Sequence, residues 1–200
     1  MQIENNRLAF FIFLFAITGL LFFYGIEFKD RDGLKGRHKP NIEFVSEIEK
    51  KVIVTPTPNF IYSYDSMKNG VIQHLDRDYT YDYIPRELKN GILFQGIHRP
   101  RKGTTLKIEL FQPATINFFF HYDQDGGYSK IFSTLEEWQR SNDAPQYDIH
   151  KGDHGLRMIM YKMKANKGTY IIPATTKDRA CFSIVFKFDR LGPATNYTWD

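Results

Sequence analysis

Cysteine occurs once in the 200 residues, as Cys181. A single thiol excludes an internal disulfide and any zinc site assembled from several cysteines. It stands in the alternating run ACFSIVFKF, where a small, buried, structural thiol is expected. Concentrated positive charge is also missing. The formal net charge is +4 and the Lys and Arg residues are scattered, so the basic stripe of a nucleic-acid-binding protein is absent. There is no G-x-S-x-G, P-loop, H-E-x-x-H or dinucleotide glycine run. Carboxylates stand close at Asp123 and Asp125 and at Glu136 and Glu137. Neighbours on a helix point in different directions, and nothing sets the separation that glycoside hydrolysis requires. The expectation is a protein that is not an enzyme. No internal repeat or low-complexity tract is present.

Aromatic residues are plentiful, at 16% of the chain with 18 Phe and 12 Tyr, against 25% charged residues. That balance belongs to a folded, aromatic-packed domain and not to a disordered chain. Residues 8–26, LAFFIFLFAITGLLFFYGI, carry no formal charge over 19 positions. At about 1.5 Å per residue such a helix just crosses a hydrocarbon layer of about 30 Å. Tyr24 near its end suits the lipid–water interface. A cleaved signal peptide is the rival reading, but the run is long and ends in FFYGIEF without small cleavage-site residues. Residues 1–7 are thus expected as a short tail and 8–26 as an uncleaved signal anchor in contact with membrane lipid.

Topology is drawn two ways. Lys29, Arg31, Lys35, Arg37 and Lys39 follow the span, which by the positive-inside tendency favours a cytosolic domain. Long folded domains are nevertheless often exported regardless of flanking charge, and few cysteines suit either a reducing compartment or a bacterial envelope. The expectation is a single-pass protein with an extracytoplasmic domain, the cytosolic orientation being the alternative. The sequon Asn196-Tyr197-Thr198 is what chance supplies in this composition and adds nothing.

Residues 27–58 read as a stalk, polar and closing on VTPTPN, where Pro56 and Pro58 favour extended, unpaired backbone. Phe44, Ile48 and Val52 recur every four residues and predict a short helix over about 42–51 within it. From residue 59 onward short strands follow one another, at 60–66, 92–97, 104–111, 115–122, 156–165, 169–174 and 181–188. In 104–111, Leu106, Ile108 and Leu110 share one face, opposite Lys107 and Glu109. In 115–122, Ile116, Phe118 and Phe120 are expected inward, with Asn117, Phe119 and His121 outward. STLEEWQRS, 133–141, is the expected single helix of the domain, with Ser133 or Thr134 capping it. The fold class is therefore all-β, an antiparallel jelly-roll-like sandwich spanning 59–200 behind a transmembrane helix.

The order of features over residues 78–188 is DYTYDYIPREL, then KGTTLKIELFQPATINFFFHYD, the LEEW segment, and KGTYIIPATTKDRACFSIVF. This order resembles the galactose-binding-like β-sandwich modules found beside glycoside hydrolases and on cell surfaces. The resemblance is one of pattern over about half the chain and carries over no ligand residue. It implies a domain that binds sugars or proteins through loops at one end.

The stretch HYDQDGG, 121–127, is the expected rim of that surface. Asp123 and Asp125 stand one residue apart before two glycines and supply the beginning of a calcium ligand set. Gly127 and Thr134 occupy the fifth and twelfth positions, where an EF-hand would place further oxygen ligands, so a simple turn competes with the metal reading. His121, Tyr122, Asp123, Asp125, Tyr128 and Trp138 are the candidate ligand-binding residues, the rings as platforms for sugar faces, although packing against the core is the competing role for Trp138 and the tyrosines. His121, His150, Asp153 and His154 also invite a metal or acid–base cluster with Asp123, but Gly152 and Gly155 place them in a loop, and surface or loop-packing histidines are expected. The basic turn His98-Arg99-Pro100-Arg101-Lys102 suits a soluble hairpin tip, with anionic headgroups or glycans as the functional alternative. The leading expectation is a membrane-anchored module binding a glycan or a protein. The alternatives are an accessory subunit packed against other membrane subunits and, third, a hydrolase with an unrecognised site.

Overall fold

The computed structural model describes residues 42–149 and 155–188. The span 8–26, the first part of the stalk, and His150, Asp153 and His154 lie outside them. Among the described residues no helix is long and apolar enough to cross a membrane.

The first element is helix α1, Ile42–Glu49, which turns Ile48 into the core and is closed by the Lys51 amide donating to the Ile48 carbonyl at 2.7 Å. Strand β1, Val52–Thr57, follows directly, with Val52, Val54 and Pro56 buried. Its register puts Val54 opposite Ile108 and Pro56 opposite Leu106 of β5, Thr105–Leu110. On the other side of β5 lies β10, Gly168–Ile172, which completes an antiparallel sheet in the order β1-β5-β10. Residues 54–57 of the VTPTPN segment, read as unpaired stalk, are therefore part of a strand of the fold. Its Pro56 is tolerated because β1 is an edge, where an amide facing away from the ladder is not needed.

The larger sheet has eight strands. Its path runs β2 (Ser63–Ser66), β4 (Ile92–Gln95), β11 (Ala180–Phe188), β6 (Ala114–Asp125), β9 (Leu156–Ala165), β8 (Gln146–Asp148) and β3 (Thr80–Tyr83), and β7 (Gln139–Arg140) also pairs with β9. The pairings are antiparallel. Between the two sheets sits the main core. Ile116, Phe118 and Phe120 of β6 and Phe182, Ile184 and Phe186 of β11 face Leu106, Ile108 and Leu110 of β5. Phe118 stacks between Phe132 and Phe182 at centroid separations of 4.8 and 5.4 Å. The all-β sandwich expected from the strand pattern is the architecture observed.

The opposite face of β6 departs from expectation. Asn117, Phe119 and His121 are not outward. They are 2, 0 and 1% exposed. A second core of Met67, Val71, Tyr81, Ile84, Leu88, Leu93, Phe119, Met158, Met160 and Val185 covers that face. The cover is made by the chain between β2 and β4 and by the curled end of the sheet. In a flat sheet β3 would lie four steps from β11, about 19 Å at the usual strand spacing. The Tyr81 hydroxyl of β3 nonetheless donates to Ser183 Oγ of β11 at 2.9 Å, and its ring packs edge-on against Phe119. The β8–β3 end has folded back across the face of its own sheet. Three consecutive phenylalanines follow from this, because a central strand with apolar layers on both sides has no wet face.

The short helix also falls elsewhere. Helix α2 is Tyr128–Phe132, one turn before the expected 133–141, and LEEW forms turns leading into β7. The reason is burial. Tyr128 and Phe132 are one helical turn apart and both enter the main core, whereas Glu136 and Glu137 are exposed and have no face to bury.

Candidate metal centre

The loop HYDQDGG is the end of a strand, and it turns into a helix. β6 continues to Asp125, and Gly126 and Gly127 then adopt φ of +58° and +93°. A Cβ on Gly126 would lie 2.4 Å from Ala180 Cβ, and one on Gly127 would lie 2.0 Å from Thr176 Oγ1. Only glycine supplies both the backbone angle and the clearance. The Gly126 carbonyl accepts the amides of Thr176 and Lys177, and Asp125 Oδ1 accepts the Gly127 amide at 2.9 Å. Burial works against the Asp125 charge, but the bonds from Gly127 and Ser129 and the nearby Lys177 outweigh it and hold the carboxyl below its usual range.

The six candidate ligand residues separate accordingly. Tyr122 is 64% exposed and Asp123 is exposed beside it. Asp125 is half-buried and serves the turn. Tyr128, with no exposure, and Trp138, with 8%, are core residues, and Trp138 meets Phe132 edge-on at 4.8 Å. Among the described residues no third metal-ligating side chain joins Asp123 and Asp125. His121 belongs to a different place altogether.

His121 points to the second face, at the end of the second core, and there it meets other polar residues. His98 follows β4, His74 and Gln73 come from the covering segment, and Cys181 comes from β11, the strand beside β6. Ring centroids are 5.2 Å apart for His74 and His98, 5.7 Å for His74 and His121, and 6.0 Å for His98 and His121. Tyr147 of β8 stacks on His121 at 3.9 Å, and Tyr79 meets His98 edge-on at 4.9 Å. All three imidazoles are at most 1% exposed. His121, expected at the surface or packed in a loop, and His98, expected at a hairpin tip, are instead buried together with His74 in the interior of a chamber.

Its hydrogen bonding is incomplete. Both ring nitrogens of His74, both of His98, and Nδ1 of His121 find no partner in the protein. The sixth nitrogen, His121 Nε2, lies 2.8 Å from Gln73 Oε1. Gln73 Nε2 in turn donates to Met158 Sδ at 3.5 Å, which orients the amide so that its oxygen faces His121. An amide oxygen only accepts, so Nε2 carries the proton and Nδ1 bears a lone pair. Burial, with help from the neighbouring His98 and Arg99, pushes the His121 pKa down to about 3. Burial together with Arg99 and Arg77 pushes His98 down to about 4, and burial with the other two imidazoles holds His74 well below its ordinary value. All three rings are neutral at physiological pH and offer lone pairs.

Cys181 completes the set. Burial pushes its thiol up to about 12, so in the free protein it is protonated, and it donates to Gln124 Oε1 at 3.0 Å. The exposed Arg99 reaches the same oxygen with Nε at 2.9 Å, at the mouth of the chamber. Ligating atoms of His98, His121 and Cys181 lie within 4.8 Å of one another, the one such group of three among the described residues. Two imidazoles and a thiol are the donors of a transition-metal site and are unsuited to calcium, which takes oxygens. Sequence reasoning passed over His74 and His98 because they share no motif spacing with His121 or Cys181. The phenylalanine run was the available signal that the His121 face is buried.

No family model matches the chain, and no curated protein matches it. No family is shown. Two solved structures are similar at low identity. One is a beta-glucuronidase from glycoside hydrolase family 2, with a TM-score of 0.49 and 14% identity over 68% of this chain and 14% of that one. The other is a GH138 enzyme targeting pectin rhamnogalacturonan II, with a TM-score of 0.49 and 15% identity over 75% of this chain and 19% of that one. The chain thus spans less than a fifth of the length of either.

Proposed function

We propose that this chain is a membrane-tethered β-sandwich that holds one transition-metal ion in its buried chamber, as a carrier or reservoir and not as a catalyst. His98, His121 and Cys181 are the ligands, and Gln73 is a positioning residue that fixes the His121 tautomer. The observation that carries this reading is the convergence of His98, His121 and Cys181 within 4.8 Å, where both His98 nitrogens and His121 Nδ1 are buried without a protein partner. Each such group costs about 1–3 kcal/mol when left unsatisfied, and histidines kept neutral at that cost are what a metal site requires. A bound ion would satisfy the His121 lone pair directly, with the Gln73 contact serving as the outer partner that metal-binding histidines ordinarily have. Residues 8–26 are the tether, and the domain lies outside the cytoplasm.

The full chain in detergent, stripped with chelator and dialysed against micromolar copper or zinc, tests this by elemental analysis. One ion per chain is expected, falling to the protein-free background in the double variant H121A/C181S. Retention of no ion by the unmodified chain overturns the proposal.

A ligand at the rim, glycan or protein, is a second reading, favoured by the exposed ring of Tyr122 beside Asp123. Tyr128 and Trp138, two of its expected platforms, are core. A glycan array probed with the full chain decides it, binding that disappears in Tyr122→Ala being the expected positive result.

A further inference from the structure

Two consecutive residues of the covering segment, Gln73 and His74, have no exposed surface. The Gln73 side chain holds His121. The His74 ring holds nothing, for both of its nitrogens are buried without a partner in the protein. The loop that carries it is fixed through its backbone. The Gln73 amide donates to the Tyr79 carbonyl at 2.8 Å, and Ile72 bridges Thr80. The Leu75 amide donates to the Gly96 carbonyl at 3.0 Å, and Asp76 Oδ1 accepts the His98 amide at 2.7 Å. Residues 72–80 thus form a closed loop, seated on the chain that follows β4, with an unbonded imidazole inside the chamber.

The three rings are spaced for a common ion. Their centres, 5.2, 5.7 and 6.0 Å apart, lie on a circle of radius about 3.3 Å, and a nitrogen bonded at about 2.0–2.1 Å sets its ring centre about 3.2 Å from the ion. One point is therefore at bonding range from all three rings with their centres where they stand. In its present orientation His74 is outside the group of His98, His121 and Cys181, whose ligating atoms lie within 4.8 Å of one another. What it needs is a turn of the ring, which no hydrogen bond resists, and not a movement of the loop. Cys181 then supplies the fourth corner. Four protein ligands make a closed site, whereas three leave a position open to water or substrate.

Resting on the metal reading above, we infer that His74 is the fourth ligand and that the ion clasps the covering loop to the sheet. His98, His121 and Cys181 stand on or just after β4, β6 and β11, which are adjacent strands. His74 alone comes from the layer above them. Tyr79, at the end of the same loop, walls the chamber against His98. The loop is thus both a ligand and a cover, and an ion bound beneath it joins the two layers.

The test uses the full chain in detergent, stripped and then loaded with whichever of zinc or copper it retains. Loading is expected to slow hydrogen exchange by about tenfold or more in peptides covering residues 72–80, with β1 and β10 unchanged. His74→Ala is expected to abolish that slowing. It should also weaken retention by more than about tenfold, the least that losing even an outer partner of a metal ligand ordinarily costs. Should the variant fail to fold, X-ray absorption at the metal edge of the unmodified chain gives an independent reading, with three nitrogens and one sulfur expected around the ion. Unchanged affinity and unchanged slowing in His74→Ala, or a shell of two nitrogens and one sulfur completed by oxygen, overturns this inference and leaves the three-ligand centre standing. No ion held by the unmodified chain overturns that centre itself.

Discussion

Replacing Phe119 by alanine separates two descriptions of the central strand. Strict alternation along β6 makes Phe119 a solvent-facing ring, and an exposed substitution away from special features changes stability by about 0.5 kcal/mol or less. In the fold, Phe119 has no exposed surface and lies in the second core with Met160 and Val185, its ring edge-on to Tyr81 at 5.9 Å. Removing the ring forfeits roughly 2 kcal/mol of transfer free energy. The void adds to this, because Tyr81 is itself pinned by its bond to Ser183 and cannot follow the missing atoms inward. Phe→Ala changes in cores cost about 3–5 kcal/mol in total. For a domain of this size that corresponds to a fall in melting temperature of about 10 °C. Urea and thermal unfolding of the full chain in detergent, followed by near-ultraviolet circular dichroism, measure it. Tyr122→Ala, at an exposed neighbouring position, is the control and should fall within about 0.5 kcal/mol. A loss below 1 kcal/mol for Phe119→Ala would mean that the second face is open to water, and the chamber would lose its walls with it.

Gly127→Ala should destabilise by about 1–3 kcal/mol, since φ is +93° and the added carbon meets Thr176 Oγ1 at 2.0 Å; unfolding in urea checks it. Tyr81→Phe should cost about 1 kcal/mol by removing the hydroxyl that donates to Ser183, again by urea unfolding. Asp125 has a folded-state pKa below its unfolded value, so its contribution is present above about pH 4 and is lost as the pH falls through the folded value. Asp125→Asn should therefore flatten the stability profile below about pH 4, and unchanged acid sensitivity in that variant would assign the effect to other groups.

Much of the main core was legible in the chain. Leu106, Ile108 and Leu110 alternate with charged residues, and the strand ends in 156–165 coincide with those observed. The elements that escaped were those whose identity depends on their neighbours. VTPTPN looks unpaired because proline cannot donate, and it becomes a strand only because β5 presents an edge to it. The pairing of β3 with β8 covers four and three residues in segments rich in tyrosine and charge, too short for a period-two signal. The helix was misplaced by its polar capping residues, where the two aromatic positions one turn earlier decided the outcome.

The chamber escaped for a related reason, and that reason bears on what it is. His74, His98, His121 and Cys181 lie up to 107 positions apart, and nothing local connects them. Two facts about the fold bring them together: the β6–β11 register, with its irregularity between Ala180 and Phe182 beside Asp125 and Phe120, and the curl of the sheet that lays residues 73–79 over that spot. A core filled by apolar side chains at this point would meet the packing needs of the second layer more cheaply than neutral imidazoles without partners. Gln73 adds a second cost, being itself fully buried. It holds the His121 tautomer in the form whose free nitrogen has a lone pair and no donor facing it. Packing alone has no use for that arrangement, and a cation does. A stability measurement on His121→Leu separates the two. If the cluster is mere filling, the metal-free chain carrying leucine should be more stable and lose nothing else. If it is a site, the same variant gains stability when metal-free and loses the ion.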